Sequence, residues 1–331
     1  MSNHLALPGT RRKLALVVLG LAALITTMLC AFALPSLHSG PRHVPVGVTG
    51  PQQTTDALRE NADKDAWDVR VYETPAAVQS AVKDRAIAGG LAVTDHGVDV
   101  YTANAGGPSA TSALTALGDG VAAQHMTEAS VHDLVPFTQD DPHGTGLTSA
   151  LLPMIFGGIF PVLILSSVFP GHRGLRTRLV GALMFSVVAG AAVAAVLQFA
   201  THSIDGNYWL TALGVILGIA AMSTTLLGLQ AFFGMAGFAL GGALMMLLGN
   251  PLSGLATGPH WLPNGWATFG QLLPPGASGS LLRANAFFDG TDAGFPVLVL
   301  TAWVVIGVAL ALLADQRGQC SIAVHHNAPT V

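Results

Sequence analysis

The sequence predicts an α-helical polytopic membrane protein with six transmembrane helices and an extracytoplasmic α+β domain between spans 1 and 2. Three observations carry that expectation. Only 10% of the 331 residues are charged, 51% are hydrophobic and the mean hydropathy is +0.56, whereas an ordinary soluble domain has a charged share of about a quarter. Apolar stretches approaching the ~20 helical residues that cross a hydrocarbon core recur six times. Acidity is confined: 14 of the 18 acidic residues, but six of the 14 cations, fall in residues 38–146.

Residues 1–13 are expected to form a cytoplasmic N-terminus ending in Arg11, Arg12 and Lys13. The first span occupies residues 14–34 of a segment that runs to residue 37. Its flanks imitate a cleavable signal peptide, with a basic start and Ala31-Phe32-Ala33 at the end, but the apolar run exceeds a usual signal core, so a retained helix is expected.

Residues 38–146 read as a soluble domain. A strand at 44–50 precedes a helix opening on Thr54 or Thr55. WDVRVYE then alternates as a strand, and Pro75 takes the first position of a second helix. GLAVT and VDVYTA flank Asp95-His96-Gly97 as a hairpin, and a helix over residues 109–124 follows. The order β-α-β-α-β-β-α gives about 100 residues, enough to bury one core. His96, His125, His132 and His143 lack metal-ligand spacing, so neither a metal nor a cofactor is expected.

Spans two to six are placed at residues 147–169, 179–199, 210–233, 235–248 and 296–314, inside a five-helix domain of residues 147–318. Cytoplasmic flanks collect Lys and Arg. The N-terminal cluster, then Arg173, Arg176 and Arg178 between spans two and three, and finally Arg317 all fall on one side if six spans are counted. Both termini, including the tail 319–331, are therefore expected in the cytoplasm of a cell-membrane protein. Cys30 in the first span and Cys320 in the tail imply no disulfide. The pairs Gly214/Gly218 and Gly237/Gly241 let helices approach closely, and packing inside one chain is their expected use.

The outer segment, residues 250–295, starts with Asn250-Pro251, which should break the fifth helix. Trp261 and Trp266 suit the headgroup level. Pro274, Pro275 and Gly276 are expected to force a turn between two short helical pieces, with Ser278 or Ser280 capping the second, which carries Arg283. Such a broken apolar segment is expected to dip into the outer leaflet and plug the mouth of the bundle, because irregular backbone at that depth needs cover from protein or a cavity.

What is missing narrows the function. No GxxxxGK[ST] loop exists, and none of the three lysines, Lys13, Lys64 and Lys83, follows a glycine, so ATP hydrolysis by that route is excluded. Nucleophile elbows, paired metal histidines and dinucleotide fingerprints are absent too, and no enzyme is expected. Beyond Asp141 the only acids are Asp205, Asp289, Asp292 and Asp315, all at loops or span ends, which disfavours a proton-driven carrier. Gln198, Ser223, Thr224 and Gln230 lie within spans, where they either line a polar path or bond back to their own helix carbonyls.

DLVPFTQDDPHGTG before span two, GNPLSG after span five and WLPNGWATFGQLLPPGASGSLLRANAFF before span six carry a family likeness. On these residues and the span order, nearly the whole chain resembles the permeases of type-2 ABC exporters, in the actinobacterial type of the branch with a large external domain after the first span, which includes the YhgE/Pip-like proteins. The resemblance implies a permease that moves an amphipathic or lipid-like compound. Its energy would come from a separate ABC ATPase subunit, and a second permease copy or paralogue would complete it. It also implies that the coupling loop is residues 170–178, with Arg173, Arg176 and Arg178 at the ATPase contact, and that residues 250–295 form external re-entrant or interfacial helices. Nucleic acid is not among the expected partners. The alternative expectation is a non-transporting envelope protein, phage-receptor-like or accessory to secretion, that acts through its external domain.

Overall fold

The computed structural model describes residues 8–37, 39–171, 174–263 and 265–326. Helix α1 (Pro8–Leu37) comes first, and its apolar stretch Arg12–Cys30 buries nothing against the rest of the chain.

The sheet domain follows as β1 (Val44–Thr49), α2 (Gln52–Asn61), β2 (Trp67–Val71), α3 (Pro75–Lys83), β3 (Gly89–Thr94), β4 (Gly97–Thr102), α4 (Pro108–Gln124) and β5 (Ala129–Asp133). The strands lie in the order β2-β1-β3-β4-β5. β1 is parallel to β2 and β3, β3 and β4 are antiparallel, and β5 is parallel to β4. Thr94 opposite Gly97 leaves Asp95-His96 as the expected tight hairpin turn. Period-two alternation sends Val44, Val46, Val48, Leu91 and Val100 to the face covered by Leu114 and Val121 of α4. Ala92 and Tyr101 point to the other face, beneath Val78 and Val82 of α3. Thr74 accepts the Ala77 amide at 3.2 Å, with Pro75 just inside the helix, so the start of α3 is fixed locally.

Two details differ from the sequence expectation. α2 starts at Gln52 directly after Pro51, ahead of Thr54. β5 was not expected at all: as an edge strand, mostly exposed, it shows no apolar alternation, and the open side of β4 organises it.

The helical part contains α5 (Thr145–Ser149), α6 (Leu151–Val168), α7 (Leu175–Ala195), α8 (Tyr208–Ala243), α9 (Trp266–Leu272), α10 (Pro274–Phe287) and α11 (Gly294–His326). A π turn extends α7 through Ala200, and another extends α8 through Gly249. Buried Asp141 accepts the Thr145 and Gly146 amides at 2.8 and 2.7 Å, which satisfies two of the orphan donors where α5 begins. Asp141→Ala is expected to cost about 1–2 kcal/mol, read as a lower thermal unfolding midpoint of the detergent-purified chain.

Five helices are long and apolar enough to cross a membrane: Arg12–Cys30, Thr145–Val168, Leu175–Ala200, Tyr208–Gly249 and Gly294–Arg317. The stretches expected as spans four and five both lie in the fourth of these, which is interrupted at Gly234 (φ 71, ψ −157). Beyond Gly234 the chain folds back, because a Cβ on Gly241 would meet Leu226 and Leu229 side chains at 2.9 and 2.7 Å. A straight helix would separate residues 226 and 241 by about 22 Å.

α8 is the hub of the bundle and touches α6, α7, α10 and α11. Glycines permit the contacts: Gly158 faces Met222, Gly190 faces Ile216 and Gly228 faces Gly307. Gly214 and Gly218 receive Asn285, Leu281 and Ser278 of α10. Both small-residue pairs are thus occupied by packing within the chain.

The segment 250–295 breaks from α8 at Asn250-Pro251, where the π turn ends and a short 3-10 turn, Pro251–Ser253, begins. Its corner is Leu273 (φ −84, ψ 146), and Pro274-Pro275 open α10 rather than making the turn. Proline suits this place because its fixed φ is helical and the first helical amides have no partner in any case. Ser278 and Ser280 lie inside α10 and cap nothing.

Candidate functional site

Polar side chains gather at both ends of the bundle. At the end away from the sheet domain, exposed Arg176 reaches the buried carboxylate of Asp315 on α11, with Nε to Oδ2 at 3.5 Å. Arg178 donates to Ser166 Oγ at 3.3 Å and to the Gly171 carbonyl at 3.0 Å. Ser166 donates in turn to Gln230 Oε1 at 2.6 Å, and the Gln230 amide lies 3.6 Å from the Met235 sulfur. Arg317 caps the Phe232 ring at 4.2 Å. These contacts tie α6, α7, α11 and the Gly234 reversal together. Arg173 lies outside the described residues.

The four polar residues expected within spans do not meet. Gln230 belongs to the arginine cluster, whereas Gln198 donates to the Gly206 carbonyl at 2.9 Å near the opposite end. Ser223 and Thr224 sit between them, fully buried. Both bond to the Ala220 carbonyl, at 3.3 and 2.7 Å, and Ser223 lies 3.4 Å from Ser186.

At the other end the sheet domain rests on residues 250–295. Gly40 and Arg42 amides donate to the Trp261 and His260 carbonyls at 3.2 and 2.9 Å, and Phe137 meets Phe287 edge to face at 5.5 Å. Pro275 packs on Gly249, and Gly276 on the Gly270 carbonyl, so the tight corner presses α10 into the bundle. Arg283 on α10 is only 2% exposed. One of its terminal nitrogens donates to the Leu255 carbonyl, while its Nε has no partner. Burial, with repulsion from Arg85 in addition, pushes the Arg283 guanidinium down to about 10.

Arg85, just beyond α3, reaches across from the sheet domain. Its Nη1 donates to the Thr291 carbonyl at 3.2 Å and its guanidinium covers the Phe288 ring at 5.0 Å. Burial lowers its pKa, and Asp292 opposes that shift. Arg85, Asp292, His260, Gln271 and Ser280 line a cavity of 370 Å³ at this junction. Ser280 donates to Gln271, whose amide holds the Ser253 carbonyl at 2.8 Å, so two of these polar groups are fixed in place. Nearby, Thr211 Oγ1, Ser278 Oγ and Asn285 Oδ1 are buried along the α8–α10 seam with no hydrogen-bond partner.

A second cavity, of 770 Å³, opens in the sheet domain between α2 and α4, lined by Trp67, Leu58 and Leu117 with Asn61 and Gln124 at hand. Among the described residues no three His, Cys, Asp or Glu side chains converge as metal ligands.

Arg283 was legible as a cation in an apolar run, but Arg85, Asp292 and Gln271 were not expected at a site. Arg85 follows a short amphipathic helix in a stretch that reads as solvated surface, and only the docking of the two parts gives it a role. Comparison with protein-family models, curated proteins and solved structures finds no match to this chain.

Proposed function

We propose that the chain is the membrane-spanning permease subunit of an ABC-2 type exporter, in the YhgE/Pip-like branch, and that it moves an amphipathic or lipid-like compound. In this reading six spans cross the cell membrane, with the fourth and fifth joined at Gly234. The sheet domain and residues 250–295 lie outside and both termini lie inside. A separate ABC ATPase subunit and a second permease copy or paralogue complete the machine.

The observation that carries the reading is the end cluster. Arg176 presents its charge outward while buried Asp315 holds its base, and three helices share the Arg178, Ser166 and Gln230 contacts. A push on this short loop would reach α6, α8 and α11 together. At the outer end, the unsatisfied polar atoms along α10 support a plug that must part from α8 for a path to open. The scarcity of charge in the spans favours an amphipathic cargo over an ion.

Gentle detergent purification of the tagged chain from its own cells should bring along an ATP-hydrolysing polypeptide, and Arg176→Glu should reduce that yield by at least tenfold. Recovery of the same ATPase with the variant would remove the coupling role. No ATPase with the unaltered chain would favour the alternative, an envelope protein acting through its external domain, which the 770 Å³ cavity supports.

A further inference from the structure

We infer that the cavity between the sheet domain and the outer helices binds the anionic head, phosphate or carboxylate, of an amphipathic molecule. The walls are of two kinds. Arg85, Gln271 and Ser280 bring polar groups, and Trp261, Phe288 and Phe295 bring apolar surface. Phe295 and its neighbour Pro296, also on the wall, belong to the first turn of α11, the membrane-length helix Gly294–Arg317. The cavity therefore sits level with the end of that helix, where lipid headgroups meet the hydrocarbon.

The junction sets two guanidiniums, Arg85 and Arg283, against the single carboxylate of Asp292, which acts on Arg85. Behind the wall, Arg283 keeps a positive charge in the protein interior with one carbonyl contact and an unpartnered Nε. Arg85 lies close enough to repel it. Among the described residues neither guanidinium has a carboxylate in ion-pair range, and Asp292 is the single acidic group on the wall. Placing an unpaired buried cation in a protein costs several kcal/mol, and a second cation beside it adds to the cost. A bound phosphate or carboxylate would neutralise the excess, and the planar fork of Arg85 suits either oxyanion. The 370 Å³ volume accommodates a head of that kind with the start of a chain lying over Phe295.

The inference concerns binding alone, rests only on the membrane placement of the helices, and stands or falls separately from ATP-driven transport. The test uses the full chain in a neutral detergent and follows its thermal unfolding with short-chain phosphatidylglycerol, short-chain phosphatidylcholine or inorganic phosphate added. Phosphatidylglycerol should raise the unfolding midpoint saturably, phosphatidylcholine should not, and Arg85→Gln should weaken the response at least tenfold. Arg85→Lys should keep part of it, and Arg70→Gln, an exposed surface change, should leave it intact. An equal response to inorganic phosphate, again lost in Arg85→Gln, would uphold the site with a soluble anion as its occupant. No response to either anion, an equal response to phosphatidylcholine, or a full response in a folded Arg85→Gln chain overturns the inference.

Discussion

Gly307→Leu is expected to prevent the bundle from assembling. A Cβ at Gly307 would fall 2.5 Å from the Thr225 amide nitrogen and 2.6 Å from the Thr224 carbonyl, both backbone atoms of α8. Across the same contact a Cβ on Gly228 would lie 3.1 Å from the Gly307 carbonyl carbon. Backbone cannot move aside as a flexible side chain can, so α11 must separate from α8, losing the Thr225 hydroxyl bond to the Trp303 carbonyl as it does so. Overpacking of a well-filled core costs about 1–3 kcal/mol, and contact with backbone belongs at or above the top of that range. The measurement is the fraction of purified chain that elutes as a single monodisperse species in detergent. Gly242→Leu is the matched control, since nothing lies within 4 Å of its added Cβ, and it should elute like the unaltered chain.

Arg283→Met is expected to move stability the other way, raising the unfolding midpoint of lipid-free protein. The guanidinium, depressed by burial to about 10, lies well below the ordinary arginine range, which corresponds to a cost on the order of a few kcal/mol at neutral pH. For a cation whose pKa is lowered by folding, that cost is fully present below the folded value and disappears only above the unfolded one, so the protein carries it throughout the physiological range. Methionine fills similar space without charge, although it abandons the Leu255 carbonyl, which returns roughly 1 kcal/mol of the gain. The net expectation is about 1–3 kcal/mol of added stability. Thermal unfolding in neutral detergent reads it, and unchanged or lowered stability would show that Arg283 is better satisfied than its surroundings imply. Adding phosphatidylglycerol should narrow the gap between the two chains, because the anion relieves the cost only where the cation remains.

Much of this architecture was legible in the chain, for identifiable reasons. The alternation in WDVRVYE and the paired runs around Asp95-His96 are local signals, and they became β2 and the β3–β4 hairpin. Hydrocarbon-length apolar runs flag their helices without any tertiary information. Gly234 was legible as the one residue left between the runs 210–233 and 235–248, though no charge or proline punctuates them, and its positive φ is what reverses the chain. Pro274-Pro275 looked like a turn because proline is compatible both with corners and with helix starts, and only the buried face of α10 decides between them. β5 and the Arg85 side of the junction were illegible for one shared reason. Each is defined by a partner distant in sequence, β4 for the strand and the Phe288–Thr291 stretch for the arginine.

The first helix leaves a practical consequence. Because α1 buries nothing within Arg12–Cys30, the core of the folded chain owes it little, and its role is closer to a leash than to a beam. Severing the polypeptide between residues 37 and 44 should leave the other helices assembled and the sheet domain still seated on them. Losing the amino-terminal piece would then change little of what the remaining helices fold into.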